Sequence, residues 1–232
     1  MIDRFSIGVP ASVLAERFKA EEPTAHIAKY NGAPSQLFPV ITSESPQGFS
    51  YFYWGMAPAW TKNKTLAERI INTQAELFAE KATLKKTLKK NRCLIPADGF
   101  YAWKKVGKKT FVPWRFVLPT KEVFAIAGLW EEYDDEQGDA FHTFTMITTP
   151  ADGLALTVTE RMPLILTKEQ EAIWLKKESD EAELLALISS AKNPTMDGFT
   201  VSPQLNSIQY DKPSLILPTP AADQFGNLTL FD

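Results

Sequence analysis

The chain is poor in the residues that most often announce a chemistry. It holds one cysteine, Cys93, and two histidines, His26 and His142, among 232 residues. A single cysteine closes no intrachain disulfide, so a reducing, cytoplasmic setting is expected and the sequons at Asn63 and Asn227 carry no weight. Two histidines and one cysteine make no spaced ligand set, and no metal or other cofactor is expected. There is no GxSxG elbow to present a nucleophile. Glycine is also scarce, at 11 residues, and its positions fit neither a dinucleotide-binding nor a phosphate-cradling loop. No stretch approaches the roughly 18 uninterrupted apolar residues of a membrane span, so no membrane partner is expected. The opening MIDRFSIGVPASV lacks a long apolar core behind a basic start, and no secretory signal is expected.

What is present is an ordinary globular composition, 44% apolar and 23% charged, with a net charge of −3. The total hides a split. Residues 81–109 (KATLKKTLKKNRCLIPADGFYAWKKVGKK) carry ten of the 25 basic residues and one acid, Asp98. Acid gathers instead in EEYDDEQGD (131–139) and around residues 169–183. Fields are read locally, within about 8–10 Å, so a basic face on an acidic protein can hold a polyanion. A solvated helix face explains the same lysines, and charge alone leaves the two open. The aromatics repeat this ambiguity. Five of the six tryptophans fall between residues 54 and 130. Bases of single-stranded nucleic acid stack on exposed indoles, yet such rings also fill β-rich cores. Trp114 and Trp130 are expected in the core, with Trp54 and Trp60 left open.

No repeat or linker divides the chain, and one domain over 1–232 is expected. Ser12 to Ala20 and Leu77 to Lys90 read as helices. LFPVIT (37–42) and FSYFYWG (49–55) read as a hairpin, as do FYAWKK (100–105) with TFVPWRFVL (110–118) and VFAIAGLW (123–130) with AFHTFTMITT (140–149). Thr167 and Gln170 have capping-box spacing for a helix start, and a second helix is expected from Asp180 to Ser190. FTVSP and LILP suggest final short strands. The mixture has no βαβ rhythm, which argues for an α+β fold. Cys93 lies between apolar residues and reads as a small core residue, His142 reads as structural within a strand, and Asp98 in PADG reads as turn-stabilising.

A set of ordered segments then stands out: Arg4-Phe5, Tyr30-Asn31-Gly32-Ala33-Pro34, WGMAPAW (54–60), INTQAE (71–76), RCLIPADGFYAWKK (92–105), TERMPLIL (159–166) and VSPQLN (201–206). In this order they resemble the SOS response-associated peptidase (SRAP) family, from residue 4 to about residue 213. The resemblance implies one α+β domain with curved, mostly antiparallel sheets and a positive cleft for single-stranded DNA. Family members sense abasic sites. Their N-terminal cysteine, exposed by loss of the initiator methionine, attacks the ring-opened sugar. The amine forms a Schiff base and the thiol closes it to a thiazolidine. A glutamate in the family's GFYEW segment and a histidine ahead of its RMP or RRP segment assist the proton transfers, and an asparagine in its NAR segment helps hold the site.

Carried over by position, the match is partial. The cysteine position is Ile2, the glutamate position Ala102 and the histidine position Thr159. The asparagine is kept as Asn72, the arginine two residues later is Gln74, and the glycine before Arg4 is Asp3. Arg4 and Arg161, which resemble residues contacting the DNA backbone, are both present, and Asn31, Trp54, Trp60 and Asn72 complete the expected DNA-binding set. Without a thiol no thiazolidine can close. Ala102 removes a carboxylate, and Thr159 moves no proton near neutral pH as an imidazole does. Ile2 is bulky beside the initiator, so Met1 is expected to stay. The expectation is therefore a non-covalent binder of single-stranded DNA, abasic or junction DNA included. The alternatives are an enzyme working through its N-terminal amine with Glu160 or Asp98, and a cleft turned to a ligand other than DNA.

Overall fold

The computed structural model describes residues 2–55, 71–134, 138, 140–190 and 192–229. Thirteen strands are described: β1 Phe5–Ile7, β2 Lys29–Gly32, β3 Leu37–Thr42, β4 Ser50–Trp54, β5 Asn72–Gln74, β6 Arg92–Ala97, β7 Gly99–Lys105, β8 Phe111–Val117, β9 Phe124–Asp134, β10 Ala140–Pro150, β11 Arg161–Pro163, β12 Ile165–Leu166 and β13 Asp197–Thr200. Five α-helices join them among the described residues: α1 Ala11–Phe18, α2 Ala82–Lys90, α3 Gly153–Leu156, α4 Lys168–Leu175 and α5 Glu181–Ser190. The fold is α+β, as expected, and its strand pairings are mostly antiparallel. Two are parallel, β10 with β4 and β10 with β5.

The larger sheet closes on itself. β4 pairs with β3, β3 with β6, β6 with β9, β9 with β10, and β10 with β4. Closure removes the edges that open sheets must protect. The second sheet has the order β13-β8-β7-β1-β2. All three expected hairpins form: β3 with β4, β7 with β8, and β9 with β10.

Both faces of the barrel wall are apolar because both are covered, which is why β9 reads as an almost unbroken hydrophobic run. Phe124 and Ile126 point into one core with Phe38, Trp54, Cys93 and Phe144, shared with Phe5 and Phe100 of the second sheet. Ala125, Ala127 and Leu129 point the other way, against Leu88 of α2, Trp174 of α4 and Leu184 of α5. α4 opens on the expected capping box: Thr167 Oγ1 accepts from the Gln170 N–H, and Gln170 Oε1 accepts from the Thr167 N–H.

Three expectations change. The helix expected from Leu77 to Lys90 begins at Ala82, because Ala75–Phe78 forms a separate 3-10 turn. The LILP segment (215–218) forms no strand: its first two residues end a 3-10 turn, Pro213–Ile216, entered through a proline that donates no ladder hydrogen bond. Asp98 does more than stabilise a turn. It sits where the chain crosses from the barrel to the second sheet, and accepts from Ser6 Oγ at 2.5 Å, the Gly8 N–H at 2.7 Å and Arg115 Nη2 at 2.8 Å. Gly99 makes room for that ion pair, since a Cβ there would stand 2.7 Å from Arg115 Nε. The N-terminal strand is thereby pinned to the core.

Candidate functional site

Ile2, just ahead of β1, is completely buried in the core shared by barrel and second sheet. Its backbone carbonyl accepts from Asn72 Nδ2 at 2.6 Å. Asn72 opens β5, which pairs in parallel with β10 through Met146, Ile147 and Thr148. Ala102, on β7 opposite Trp114 of β8, is buried in the same apolar core as Ile2. Thr159 is half-buried: its N–H donates to the Ala155 carbonyl and its hydroxyl to the Arg161 carbonyl. Ala155 and Val158, close by in sequence, belong to the Ile2 core as well. A branched alkyl side chain thus fills interior space at the second position. A hydrocarbon there is stabilised by burial and offers no lone pair to an electrophile.

The two arginines expected to contact DNA are each close to a carboxylate. Arg4 donates from Nη1 to the Asp3 carbonyl at 2.7 Å, and lies 3.7 Å from the Asp3 carboxylate. Burial pushes the Asp3 carboxyl above its usual range, against the lowering pull of Arg4. Arg4 Nε and Asn72 Oδ1 are buried without a hydrogen-bond partner among the described residues. Arg161, at the start of β11, donates from Nε to Thr148 Oγ1 at 3.1 Å and from Nη2 to the Thr148 carbonyl at 2.6 Å. Its outer edge grips the Glu76 carboxylate through both terminal nitrogens, each at 2.9 Å. That grip holds the Glu76 carboxyl below its usual value. Glu76 lies within the INTQAE segment noted in the sequence, yet nothing in its spacing pointed across to Arg161.

Other expected site residues do different work. Trp54 is completely buried, donates from its indole N–H to the Ile71 carbonyl at 2.9 Å, and packs edge-on to Phe5. It has no exposed face for a base, so the stacking expectation at that position is corrected. Trp60 lies outside the described residues. Asn31 is also fully buried, and its amide nitrogen serves the carbonyls of Leu205, Ser207 and Tyr210 at 2.9–3.2 Å. The residue ties β2 to the VSPQLN region and leaves its amide nitrogen no donor to spare for a phosphate. Trp130 is in the core, whereas Trp114 is only partly buried, with Lys104 Nζ 5.9 Å from its ring centre.

The basic stretch comes apart in space. α2 packs through Leu88 on the outer face of the barrel wall, the face opposite Ile2 and Ala102. Lys89 pairs there with Glu181 of α5 at 2.9 Å. Arg92 is fully buried and donates to the carbonyls of Leu88, Lys89, Trp174 and Lys176, closing the ends of α2 and α4. Burial lowers its pKa. Six of the ten cations, Lys81 to Arg92, are thus a helix surface and its cap. Cys93 is buried as expected, and burial pushes its thiol far up. His142 sits on β10, stacked on Phe52 and 2.8 Å from Glu132.

These features define a class of protein: an α+β barrel domain with Ile2 buried in its core and tied through its carbonyl to an asparagine. The sequence profile of the SOS response associated peptidase (SRAP) family matches residues 1–208, and the chain belongs to that family. The abasic site processing protein YoqW of Bacillus subtilis (strain 168) is 34% identical over 221 residues, spanning 93% of this chain and 99% of the relative. The abasic site processing protein HMCES of Rattus norvegicus is 24% identical over 237 residues, spanning 85% of this chain and 67% of the relative. A solved protein from Bacteroides thetaiotaomicron shares the fold with a TM-score of 0.73 at 24% identity, over 93% of this chain and 99% of that one.

Proposed function

We propose that this protein is an abasic-site and single-stranded DNA-binding member of the SRAP family that holds DNA without a covalent bond. One observation carries the non-covalent part. The position where the family's cross-linking cysteine is expected holds an isoleucine, wholly buried and tied by its carbonyl to Asn72. The DNA part is supported by relatives named as abasic site processing proteins. With Ala102 and Thr159 at the other two reactive positions, none of the three offers the thiol, carboxylate or imidazole of the family's chemistry.

Arg4 and Arg161 supply phosphate contacts on this proposal. Two phosphates neutralised on a single strand give a salt slope of about −1.4, so affinity should fall roughly sevenfold between about 50 and 200 mM salt. The test is one labelled oligonucleotide, with and without an abasic site, run on native and denaturing gels in parallel. A native shift that vanishes on denaturation, with no adduct after borohydride, is the expected result. A band surviving denaturation would overturn the non-covalent reading. No shift at all would remove DNA as the ligand. The changes Ile2→Cys, Ala102→Glu and Thr159→His together should bring back a denaturation-resistant band.

A further inference from the structure

Arg161 is held in place from its inner side. Nε and one Nη2 hydrogen are spent on Thr148, at 3.1 and 2.6 Å, and Thr148 is itself fixed in β10. The outer edge, where Nη1 and Nη2 lie parallel, is the edge a carboxylate or a phosphate engages with two hydrogen bonds. Glu76 occupies it with both oxygens at 2.9 Å. The two partners differ in how firmly they are set: the Arg161 side chain is 19% exposed and the Glu76 side chain 50%. A cleft of about 490 Å³ opens beside the pair, lined by Ala75, Glu76, Phe78, Thr149, Pro150 and Leu185. It gives the carboxylate room to turn away without disturbing β5.

We propose that Glu76 is a built-in competitor for the phosphate site of Arg161. Its carboxylate fills the two-pronged edge in the free protein, and a DNA phosphodiester displaces it on binding, a role that presupposes the DNA-binding function proposed above. Thr148 keeps the guanidinium oriented through the exchange, so Glu76 is not needed to position it. A half-exposed ion pair is worth little in water, so the exchange is readily reversible. Glu76 sets affinity by this competition and touches no reacting atom.

The test is single-stranded DNA binding by the full chain and its variants Glu76→Gln, Glu160→Gln, Arg161→Gln and Glu76→Gln/Arg161→Gln. Glu160 adjoins Arg161 in sequence and is exposed, so its change removes the same charge without vacating the fork. Glu76→Gln should tighten binding roughly fivefold, the change that corresponds to about 1 kcal/mol. Glu160→Gln should tighten it less than twofold, and Glu76→Gln should have no larger effect than that once Arg161 is glutamine. Unfolding midpoints within about 4 °C of the parent chain, all far above the assay temperature, keep folding out of the comparison. If the parent chain binds and Glu76→Gln matches it, weakens it or only equals Glu160→Gln, the competition is refuted while the DNA-binding function stands. If the parent chain fails to bind but Glu76→Gln binds, the competitor is upheld and the function of the parent chain must be revised. If none binds, both fall.

Discussion

The Asp98–Arg115 pair carries a severe and calculable penalty if it is broken. Both side chains are 8% exposed, and they meet at 2.8 Å. In Asp98→Ala the guanidinium stays buried with neutral partners such as the Ser6 hydroxyl and the residue-98 carbonyl and no opposite charge at 2.8 Å. The Gly8 N–H loses its acceptor as well, and the Ser6 hydroxyl is left with the Gly99 carbonyl at 3.3 Å. Leaving one charge of a buried pair unpaired costs roughly 3–5 kcal/mol. For a chain of this size that lowers the unfolding midpoint by roughly 6–20 °C. Removing both charges in Asp98→Ala/Arg115→Met should cost less than the sum of the two single changes, because the second change takes away the stranded ion. Thermal unfolding followed by circular dichroism measures all four proteins. Amide exchange over residues 5–8 should accelerate in Asp98→Ala, since Asp98 holds Ser6 and Gly8 in place. A single-variant shift below about 2 °C, or strictly additive shifts, would refute the assignment of this pair as the anchor of the N-terminal strand.

Three further outcomes follow from particular contacts. Asn31→Ala strips the amide nitrogen from three carbonyls and should cost about 1–3 kcal/mol, with protease cleavage appearing near residues 205–210. Cys93 should stay unreactive toward a thiol reagent at pH 8 in the folded protein and react at once in denaturant, because burial keeps it a neutral thiol. The Glu76 carboxyl is held below its ordinary value of 4.5, so its pair with Arg161 contributes above that pH and is lost as pH falls below it. Because Glu76 is half exposed the loss should stay under about 1 kcal/mol, and Glu76→Gln should flatten that part of a pH–stability curve.

Hairpins and caps were legible because their causes are local. The turn-rich SESPQG between two strand-forming runs, and the Thr167–Gln170 box, each act within a few residues, and the β3–β4 hairpin and the α4 cap are present as expected. The ordered segments were likewise enough to place the chain in its family, and the residue types at positions 2, 102 and 159 already excluded a thiolate, a carboxylate and an imidazole there. Other features depend on which strand lies beside which. Barrel closure decided that α2 and its lysines cover the wall opposite Ile2, so of the two readings the lysine run left open, the helix surface holds for α2. The same packing buried Trp54, and it turned Asn31 and Arg92 into struts for distant carbonyls. Glu76 meets Arg161 across 85 residues of chain, and Asp98 meets Ser6 across 92. Composition and spacing determine which groups a chain possesses and where it bends. Which of them stay free to meet a ligand is decided by long-range contacts, since burial and charge pairing depend on the folded neighbourhood of each side chain.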